Sequence, residues 1–472
     1  MTTMTELDQK LLRGEIPGKI YFVGAGGIGM ANLVRYFLSK GARIAGYDRT
    51  STPLTSALTD EGADITFDDD ETLIPADFRD PATTLVVYTP AVADDNRILS
   101  YFRRNGFEVI KRARLLGIIT LHSRGICIAG SHGKTTTCSM TANILRHTPE
   151  GCNAFLGGIL RNTESNLMLS NASDLAVIEA DEYDRSFHQL SPWIGVITSC
   201  DPDHLDIYGD EASYLEAFSK FTSLIRSGGY LIMHTGLKMR PDVRPGVRIF
   251  TYSGGQQGDW HADDITYGDG TLSFTLAGPE GFRIPGISLG VPVEINISNA
   301  VAAAAAAILA GASAKAVKEG LADFKGAHRR FEIHMDGSDG HPILIDDYAH
   351  SPNEVSASIR SVRKLYPGRR IAVVFQPHLH TRTRDFAPEF ARALSEADRV
   401  IMPEIYPARE LPIPGVDSNI ILQNVKCADK TYCERKDLLD LIKISNFEIL
   451  MTLGAADIDR LIPEIKEILL RK

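Results

Sequence analysis

Residues 126–137 set the fold class of this chain, and they read Ile126-Cys127-Ile128-Ala129-Gly130-Ser131-His132-Gly133-Lys134-Thr135-Thr136-Thr137. The apolar run predicts a short buried strand, and the glycines predict a tight loop that opens into a helix. In such a loop backbone N–H groups surround phosphate oxygens, a lysine adds a compact charge and a threonine hydroxyl can ligate Mg²⁺. The spacing departs from G-x-x-x-x-G-K-[ST], because Gly130 lies only three residues before Gly133. The stretch predicts an α/β fold with a phosphate-binding strand–loop–helix unit.

A second glycine-rich turn lies towards the N-terminus. The turn from Gly24 to Gly29 reads G-x-G-x-x-G, follows an apolar run, precedes a helical pattern and is followed nineteen residues later by Asp48. In this pattern backbone N–H groups approach a pyrophosphate at a helix N-terminus, and the carboxylate accepts ribose hydroxyls. Any nucleotide diphosphate offers these groups. The pattern therefore predicts a nucleotide site without separating a nicotinamide cofactor from a sugar nucleotide.

Acidic residues follow two apolar runs in the middle of the chain. Glu179 ends the run Leu175 to Glu179, where a carboxylate would meet the metal of a phosphate loop. His204 stands in the stretch Asp203-His204-Leu205-Asp206, after another apolar run. Hard oxygen ligands suit Mg²⁺, so Glu179 is a candidate ligand. A single histidine beside carboxylates is more often structural, and the residues alone leave the role of His204 open.

The last third of the chain carries two polar stretches that also follow apolar strands. They are residues 346–352, DDYAHSP, and residues 376–384, QPHLHTRTR. Loops at the carboxyl ends of strands carry the sites of open α/β sheets. Arg382 and Arg384 can each bind a carboxylate or phosphate through two hydrogen bonds. A solvated arginine pair is the alternative interpretation.

Length and composition limit the number of domains, the class of partner and the location of the protein. The chain has 472 residues, 44% hydrophobic and 23% charged, which is typical of a globular protein too long for one hydrophobic core. We expect three α/β domains at 1–123, 124–326 and 327–472, with an antiparallel insert between 236 and 292. The net charge of −10 disfavours a nucleic-acid partner. Apolar runs too short for a membrane span, and six cysteines without a C-x-x-C pair, favour a cytoplasmic location.

Taken in order, these segments resemble the Mur ligases of peptidoglycan synthesis, from about Gly24 to Gly454. Further matching segments are Asn296 to Ala300, Arg329-Arg330-Phe331 and Tyr406 to Glu410. The resemblance implies an N-terminal Rossmann-like UDP-binding domain, a central phosphate-loop ATPase domain and a C-terminal Rossmann-like domain that closes over the site. It is strongest for the branch that ligates L-alanine to the lactyl carboxylate of UDP-N-acetylmuramate through an acyl phosphate, with ATP and Mg²⁺.

The resemblance also implies roles for individual residues. ATP would contact Gly130, Ser131, His132, Gly133, Lys134, Thr135, Thr136, Asn296, Asn299, Arg330 and Asp347. The UDP-sugar would contact Gly26, Gly27, Ile28, Gly29 and Asp48, and the amino acid would contact Tyr348, His350 and Arg382. Mg²⁺ would be held by Thr135, Glu179 and His204. Lys134, His204 and Arg382 would be catalytic, and the partners would be the three small substrates, with the chain a monomer or homodimer.

The sequence departs from the family pattern at three places. Ile295 stands where a histidine usually precedes Asn296, Ser351 replaces the second histidine of Asp-Tyr-x-His-His-Pro, and Leu379-His380 replaces an Arg-Tyr pair. Lys220 lies near the position where several Mur ligases carry a carbamylated lysine. The alanine-adding branch generally lacks that lysine, so no role is assigned to Lys220.

Three other functions stay open at this point. The nearest is a ligase that recycles a tripeptide onto the same sugar nucleotide. An NAD-dependent oxidoreductase would use Gly24 to Gly29 but has no use for Gly133-Lys134-Thr135. A nucleotide-gated switch would use the phosphate loop but has no use for a second nucleotide fold or for the anion-binding loops after Ile345 and Phe375.

Overall fold

The computed structural model describes residues 9–471 except for 12, 16, 269 and 409, and it describes only the backbone of 205 and 206. Arg409 and the side chain of Asp206, which belong to two of the matching segments, therefore lie outside the described residues. The described strands form four sheets, which span 19–111, 124–252, 261–288 and 332–453 in turn.

The first sheet is parallel throughout and has the strand order β3-β2-β1-β4-β5. Its strands are β1 (Lys19–Val23), β2 (Arg43–Tyr47), β3 (Asp64–Thr66), β4 (Thr84–Tyr88) and β5 (Glu108–Lys111). Its helices are α1 (Ile28–Ser39), α2 (Pro53–Asp60), α3 (Arg97–Arg104) and α4 (Arg112–Leu121). The strand order reverses between β1 and β4, and ligands of open sheets bind outside the carboxyl ends at such a switch point. The glycine turn at 24–29 lies there.

The second sheet has the order β12-β11-β10-β6-β9-β7-β8 and is parallel except for the pair β7–β8. Its strands are β6 (Arg124–Ala129), β7 (Asn153–Leu160), β8 (Ser165–Met168), β9 (Leu175–Glu179), β10 (Ile194–Ile197), β11 (Tyr230–His234) and β12 (Arg248–Tyr252). Its helices are α5 (Lys134–Arg146), α6 (Leu205–Tyr208) and α7 (Glu211–Thr222). Because β9 and β10 flank β6, the segments after them border the phosphate loop.

A small antiparallel sheet and two helices follow. The sheet consists of β13 (His261–Gly268), β14 (Thr271–Ala277) and β15 (Arg283–Ser288), and the helices are α8 (Ile295–Leu309) and α9 (Ala314–Ala322). Helix α8 contains the run Ala302–Ala307, which is fully buried. Methyl side chains let two helix backbones approach closely, and α8 packs against α5, the helix that begins at Lys134. The alanine run therefore places Asn296 and Asn299 beneath the phosphate loop.

The last sheet has the order β16-β17-β21-β18-β19-β20, with β16 antiparallel to the rest. Its strands are β16 (Glu332–Met335), β17 (Ile343–Asp347), β18 (Ile371–Phe375), β19 (Arg399–Met402), β20 (Asp429–Tyr432) and β21 (Ile449–Leu453). Its helices are α10 (Pro352–Leu365), α11 (His380–Asp385), α12 (Ala387–Leu394), α13 (Asn419–Leu422), α14 (Leu438–Ile444) and α15 (Ile462–Leu469). Strand β21 lies between β17 and β18, so the two polar stretches of this region lie at the same edge of the sheet.

The predicted fold class is confirmed. The antiparallel insert is confirmed for 261–288, but the prediction that it begins near 236 is wrong, because β12 (Arg248–Tyr252) is a parallel strand of the second sheet. The domain boundaries after 123 and 326 fall between sheets and stay predictions. Among the described residues, no helix is both long enough and apolar enough to cross a membrane.

Candidate functional site

The loop between β6 and α5 depends on two glycines in the left-handed region. Gly130 has φ 147° and Gly133 has φ 79°, conformations that other residues rarely adopt. A methyl group on Gly130 would lie 2.0 Å from the Thr198 hydroxyl oxygen, so the loop packs directly on the segment after β10. In that segment the Ser199 hydroxyl accepts from the His132 N–H at 2.7 Å. The Ser131 hydroxyl of the loop also lies 2.8 Å from the hydroxyl of Tyr214 in α7.

Lys134 points back into this loop. Its ammonium donates to the Gly130 carbonyl at 2.5 Å and to Glu182 Oε1 at 2.8 Å. The Glu182 side chain is only 2% exposed, and its Oε2 has no hydrogen-bond partner within the described part of the chain. A buried carboxylate therefore holds the loop lysine where phosphates are expected. Sequence reasoning missed Glu182, although it stands only three residues after Glu179.

The structure brings Thr135 and Glu179 together. The Thr135 hydroxyl donates to Glu179 Oε1 at 2.9 Å, and the Gly157 N–H donates to Glu179 Oε2 at 3.0 Å. Burial raises the pKa of Glu179, while its bond from Thr135 and the charge of Lys134 act in the opposite direction. A methyl group on Gly157 would lie 2.3 Å from Glu179 Oε2, so this carboxylate needs a glycine opposite it.

The contacts of His204 are with Asp203 and Tyr183, and its role as a metal ligand stays a prediction. His204 has φ 51°, its N–H donates to Asp203 Oδ1 at 2.7 Å, and its ring lies edge-on to Tyr183. The described residues contain no group of three or more His, Cys, Asp or Glu side chains placed to hold a metal ion. Mg²⁺ usually takes one or two protein oxygens together with phosphate oxygens and water. The hydroxyl and carboxylate oxygens of Thr135 and Glu179 fit that pattern without His204.

Asn296 and Asn299 support the loop from below. Asn299 Oδ1 accepts from the Thr137 hydroxyl at 3.3 Å, its Nδ2 donates to Asn296 Oδ1 at 3.2 Å, and Asn296 donates to the Val291 carbonyl. A methyl group on Gly133 would meet Asn299 Oδ1 at 2.8 Å. Both amides are buried and bonded within the protein, so their contact with ATP stays a prediction. Thr136 is half-buried in the first turn of α5, and Ile295 is 62% exposed.

The glycine turn of the first sheet is held by its own acidic residue. Asp48 Oδ2 accepts from the Gly26 N–H at 2.7 Å, and Asp48 Oδ1 accepts from the Thr50 N–H at 3.2 Å. A methyl group on Gly29 would lie 2.5 Å from Arg112 Nη1, so the Arg112 guanidinium sits against the first turn of α1. Gly27 precedes that turn and Ile28, which is 54% exposed, begins it. Sequence reasoning also missed Arg112.

A cleft of about 310 Å³ joins this turn to the phosphate-loop region. Ile28, Gly29 and Arg112 line its first side, and Gly157, Glu179 and Asp181 line its second. A molecule that binds the glycine turn can therefore extend to the carboxylate that touches Thr135.

Tyr348 lies between two guanidinium groups in the C-terminal region. The Arg329 and Arg330 groups are 5.1 and 5.5 Å from its ring centroid. Arg329 also donates to the Gly454 carbonyl at 2.6 Å and reaches Asp346 at 3.3 Å, so it ties the ends of β17 and β21 together. Asp347 accepts from the Ser358 hydroxyl at 2.7 Å, and burial raises its pKa to about 6.

Ser351 begins α10 as a helix cap. Its hydroxyl accepts from the Glu354 N–H, and Glu354 Oε2 accepts from the N–H groups of Ser351 and His350 at 3.1 and 3.0 Å. Serine is a favoured capping residue and proline is favoured at the next position. The departure from the family histidine thus gives α10 a well-formed start and fixes His350 beside it. His350 Nδ1 lies 3.0 Å from the Tyr348 carbonyl oxygen.

The stretch after β18 carries buried polar atoms without partners. Within the described residues, hydrogen-bond partners are missing for Gln376 Oε1, His378 Nδ1, His380 Nδ1 and Arg382 Nη1. Buried polar atoms are normally paired, because each unpaired group costs about 1–3 kcal/mol. Four such atoms within seven residues are typical of a site that binds a polar ligand. Arg384 does not share this environment, since it is 51% exposed and paired with Asp385 at 2.7 Å.

Comparison with known proteins agrees with this architecture. Three family models match successive parts of the chain: the Mur ligase family catalytic domain at 19–124, the Mur ligase middle domain at 128–307 and the Mur ligase glutamate ligase domain at 329–448. The chain is 54% identical to UDP-N-acetylmuramate–L-alanine ligase of Parabacteroides distasonis, across 96% of this chain and 97% of that protein. It is 50% identical to the enzyme of that name from Porphyromonas gingivalis, across 96% of this chain and 99% of that protein.

Solved structures agree as well. UDP-N-acetylmuramate-alanine ligase of Thermotoga maritima is 27% identical with a TM-score of 0.72, across 96% of this chain and 98% of that one. A murein peptide ligase of Psychrobacter arcticus is 20% identical with a TM-score of 0.58 across the same shares, which shows the shared fold alone. On these matches of sequence and fold, the chain belongs to the Mur ligase family.

Proposed function

We propose that this chain ligates L-alanine to the lactyl carboxylate of UDP-N-acetylmuramate, with conversion of ATP to ADP and phosphate, in peptidoglycan precursor synthesis. The observation that carries the proposal is the identity of 54% across 96% of the chain to a ligase named for these two substrates. The site chemistry agrees, because the described geometry combines a phosphate loop, a connected cleft and a separate set of unpaired polar atoms.

ATP converts a carboxylate, which is a poor electrophile, into an acyl phosphate with a good leaving group. Transfer of the γ-phosphoryl group needs positioning and charge neutralisation more than covalent protein chemistry. Lys134 and the N–H groups of residues 130–136 would bind the phosphates. Thr135 and Glu179 would hold Mg²⁺, which would neutralise charge on the phosphate oxygens, and His204 is kept as a third candidate ligand.

The sugar nucleotide would lie across the cleft of the first two sheets. Gly26 to Gly29 would face its pyrophosphate, with Asp48 holding the turn, and Arg112 adds a positive charge beside it. This placement directs the lactyl end of the molecule towards Glu179, where the phosphates of ATP would also be bound.

The amino acid would bind to the C-terminal sheet. Arg382 would bind its carboxylate through two hydrogen bonds, which fixes the direction of the amine. Tyr348 and His350 would shape the pocket, while Arg330 and Asp347 would reach ATP from this domain. The roles divide among domains at 1–123, 124–326 and 327–472, and we place the protein in the cytoplasm as a monomer or homodimer.

The test is a phosphate-release assay with UDP-N-acetylmuramate, ATP and Mg²⁺, in which L-alanine, glycine, L-serine and the recycled tripeptide are compared as acceptors. We expect L-alanine to give the highest kcat/KM and phosphate release to require the sugar nucleotide. Preference for the tripeptide would assign the chain to the recycling branch, and reduction of added NAD⁺ would point to an oxidoreductase. ATP hydrolysis independent of both other substrates would favour a nucleotide-gated switch.

A further inference from the structure

His378 combines three features that the proposed roles leave unused. Its Nδ1 is buried without a hydrogen-bond partner among the described residues, as is Nη1 of Arg382 one turn further on. Its ring stacks on Tyr406, with centroids 6.0 Å apart and planes 13° apart. The backbone on both sides is fixed, because the Leu379 N–H donates to the Tyr406 carbonyl and the Tyr406 N–H donates to the Pro377 carbonyl. An imidazole held rigidly with a free ring nitrogen is suited to proton transfer.

We propose that His378 is the general base that removes a proton from the amine of the incoming amino acid. The inference rests on the proposed function, since it concerns the second half of that reaction. A carboxylate bound by Arg382 leaves the amine only two bonds away. The group that receives the amine's proton must therefore be a neighbour of Arg382, as His378 is.

The other histidines of the region fit this role less well. His350 Nδ1 already contacts the Tyr348 carbonyl and Glu354 Oε2, at 3.0 and 3.3 Å. His380 has an unpaired Nδ1 but is only 8% exposed, so a substrate from solvent cannot reach it without a rearrangement. His378 is half-buried. Its Nδ1 is buried, but its Nε2 is not among the buried ring nitrogens and makes no hydrogen bond within the described residues, so the amine would approach Nε2.

The charge around His378 favours the neutral ring. Burial lowers its pKa, the neighbouring Arg382 and His350 lower it further, and Glu410 acts in the opposite direction. Tyr406 faces the ring through its aromatic face. At neutral pH the imidazole is therefore unprotonated and able to accept a proton, which is the state a general base needs.

The proton and electron balance is simple. The amine nitrogen forms a bond to the acyl carbon with its lone pair, and the bond from that carbon to the phosphate oxygen breaks, with its electron pair leaving on phosphate. The lone pair becomes available when the ammonium group of the bound amino acid gives one proton to His378, and the attacking nitrogen releases a second proton to water as the amide forms. The products are the amide and inorganic phosphate, and the imidazolium returns its proton to water. No oxidant or further reactant is required.

The test compares His378→Asn with wild type using two nucleophiles. With L-alanine we expect a loss of at least about a hundredfold in kcat, the lower end of general-base contributions. Hydroxylamine is largely unprotonated at neutral pH and captures an acyl phosphate as a hydroxamate without a base. Hydroxamate formation by His378→Asn should therefore stay near the wild-type rate. The acid limb of kcat, which reports groups of the enzyme–substrate complex, should also lose the contribution of the imidazole in the variant.

His341→Asn is the matched control, because it makes the same change in the turn before β17, outside the site. It should behave as wild type with both nucleophiles. An equal loss with L-alanine and hydroxylamine would give His378 a structural role, and unchanged turnover of L-alanine would exclude it as the base. A wild-type enzyme that forms hydroxamate but does not use L-alanine would instead reject the proposed function.

Discussion

Single residues show where the structure changes what a mutation should do. Lys134 is the clearest case, because its partner Glu182 is a buried carboxylate. Removing one member of a buried ion pair leaves the other uncompensated, at a cost of about 3–5 kcal/mol. A substitution of the loop lysine therefore affects folding as well as phosphate binding.

For this reason we expect Lys134→Ala to lose at least about tenfold in rate, since the lost charged contact contributes about 1.5–3 kcal/mol, and also to unfold at lower urea. The double variant Lys134→Ala/Glu182→Gln should recover stability without recovering activity. Urea unfolding and initial rates measure the two effects separately. A single variant as stable as wild type would contradict the importance of the buried pair.

Arg382 and Arg384 offer a matched pair of arginines on one short helix. Arg382→Ala should raise the KM for L-alanine strongly and leave the KM values for ATP and UDP-N-acetylmuramate nearly unchanged, because the lost contact belongs to one substrate. Arg384→Ala should have little effect, since that side chain is exposed and paired with Asp385. Steady-state kinetics with each substrate varied in turn decides this. The assignment fails if the two variants behave alike.

Asp347 should make stability depend on pH. The pKa of Asp347 is about 6 in the folded chain, whereas its ordinary value is 3.8. Between these two pH values the folded state therefore binds the proton more tightly than the unfolded state does. Its contribution to stability is therefore lost as pH rises through this window. We expect Asp347→Asn to be more stable than wild type at about pH 7.5 and equally stable near pH 4. Thermal unfolding across this range is the measurement, and a constant difference at every pH would refute the assignment.

At the scale of elements, strand β7 carries two adjacent glycines with different surroundings. A methyl group on Gly157 would overlap Glu179 Oε2 at 2.3 Å, whereas one on Gly158 would make ordinary contacts at 3.5 and 3.6 Å. Gly157→Ala should displace the carboxylate and raise the Mg²⁺ concentration needed for half-maximal rate. Gly158→Ala should leave it unchanged. Magnesium titrations of both variants at saturating ATP test this, and equal requirements would remove Glu179 from the metal site.

Elements were the part of the structure that the sequence predicted best. The apolar run Leu175 to Glu179 became strand β9 with those bounds, because it is buried and ends at a polar loop, and the run at 126–129 became part of β6. The Lys134–Glu182 contact was not predictable in this way. It depends on the turn at Tyr183–Gln189, where Asp184 and Arg185 adopt left-handed φ values that no local pattern indicates. The sequence did not indicate a role for Arg112, because its contact with Gly29 joins two helices that are far apart in sequence.

At the scale of the whole molecule, the first sheet and the cleft beside it predict which nucleotide is bound. Calorimetry should detect UDP-N-acetylmuramate, which can extend from the glycine turn through the cleft to Glu179. It should detect no binding of NAD⁺. Tight binding of NAD⁺ without binding of the sugar nucleotide would overturn the proposed function at its first domain.

The buried Glu182 beside Lys134 has a consequence for the protein in a cell. A loop lysine that already has a counter-ion attracts a free anion less strongly than an unpaired one would. Orthophosphate, which is both abundant and a product of the reaction, offers no second phosphate group to engage the rest of the loop. A nucleoside triphosphate does, and it can replace the carboxylate with several contacts at once. We therefore expect the ion pair to make the phosphate loop selective for polyphosphates over orthophosphate.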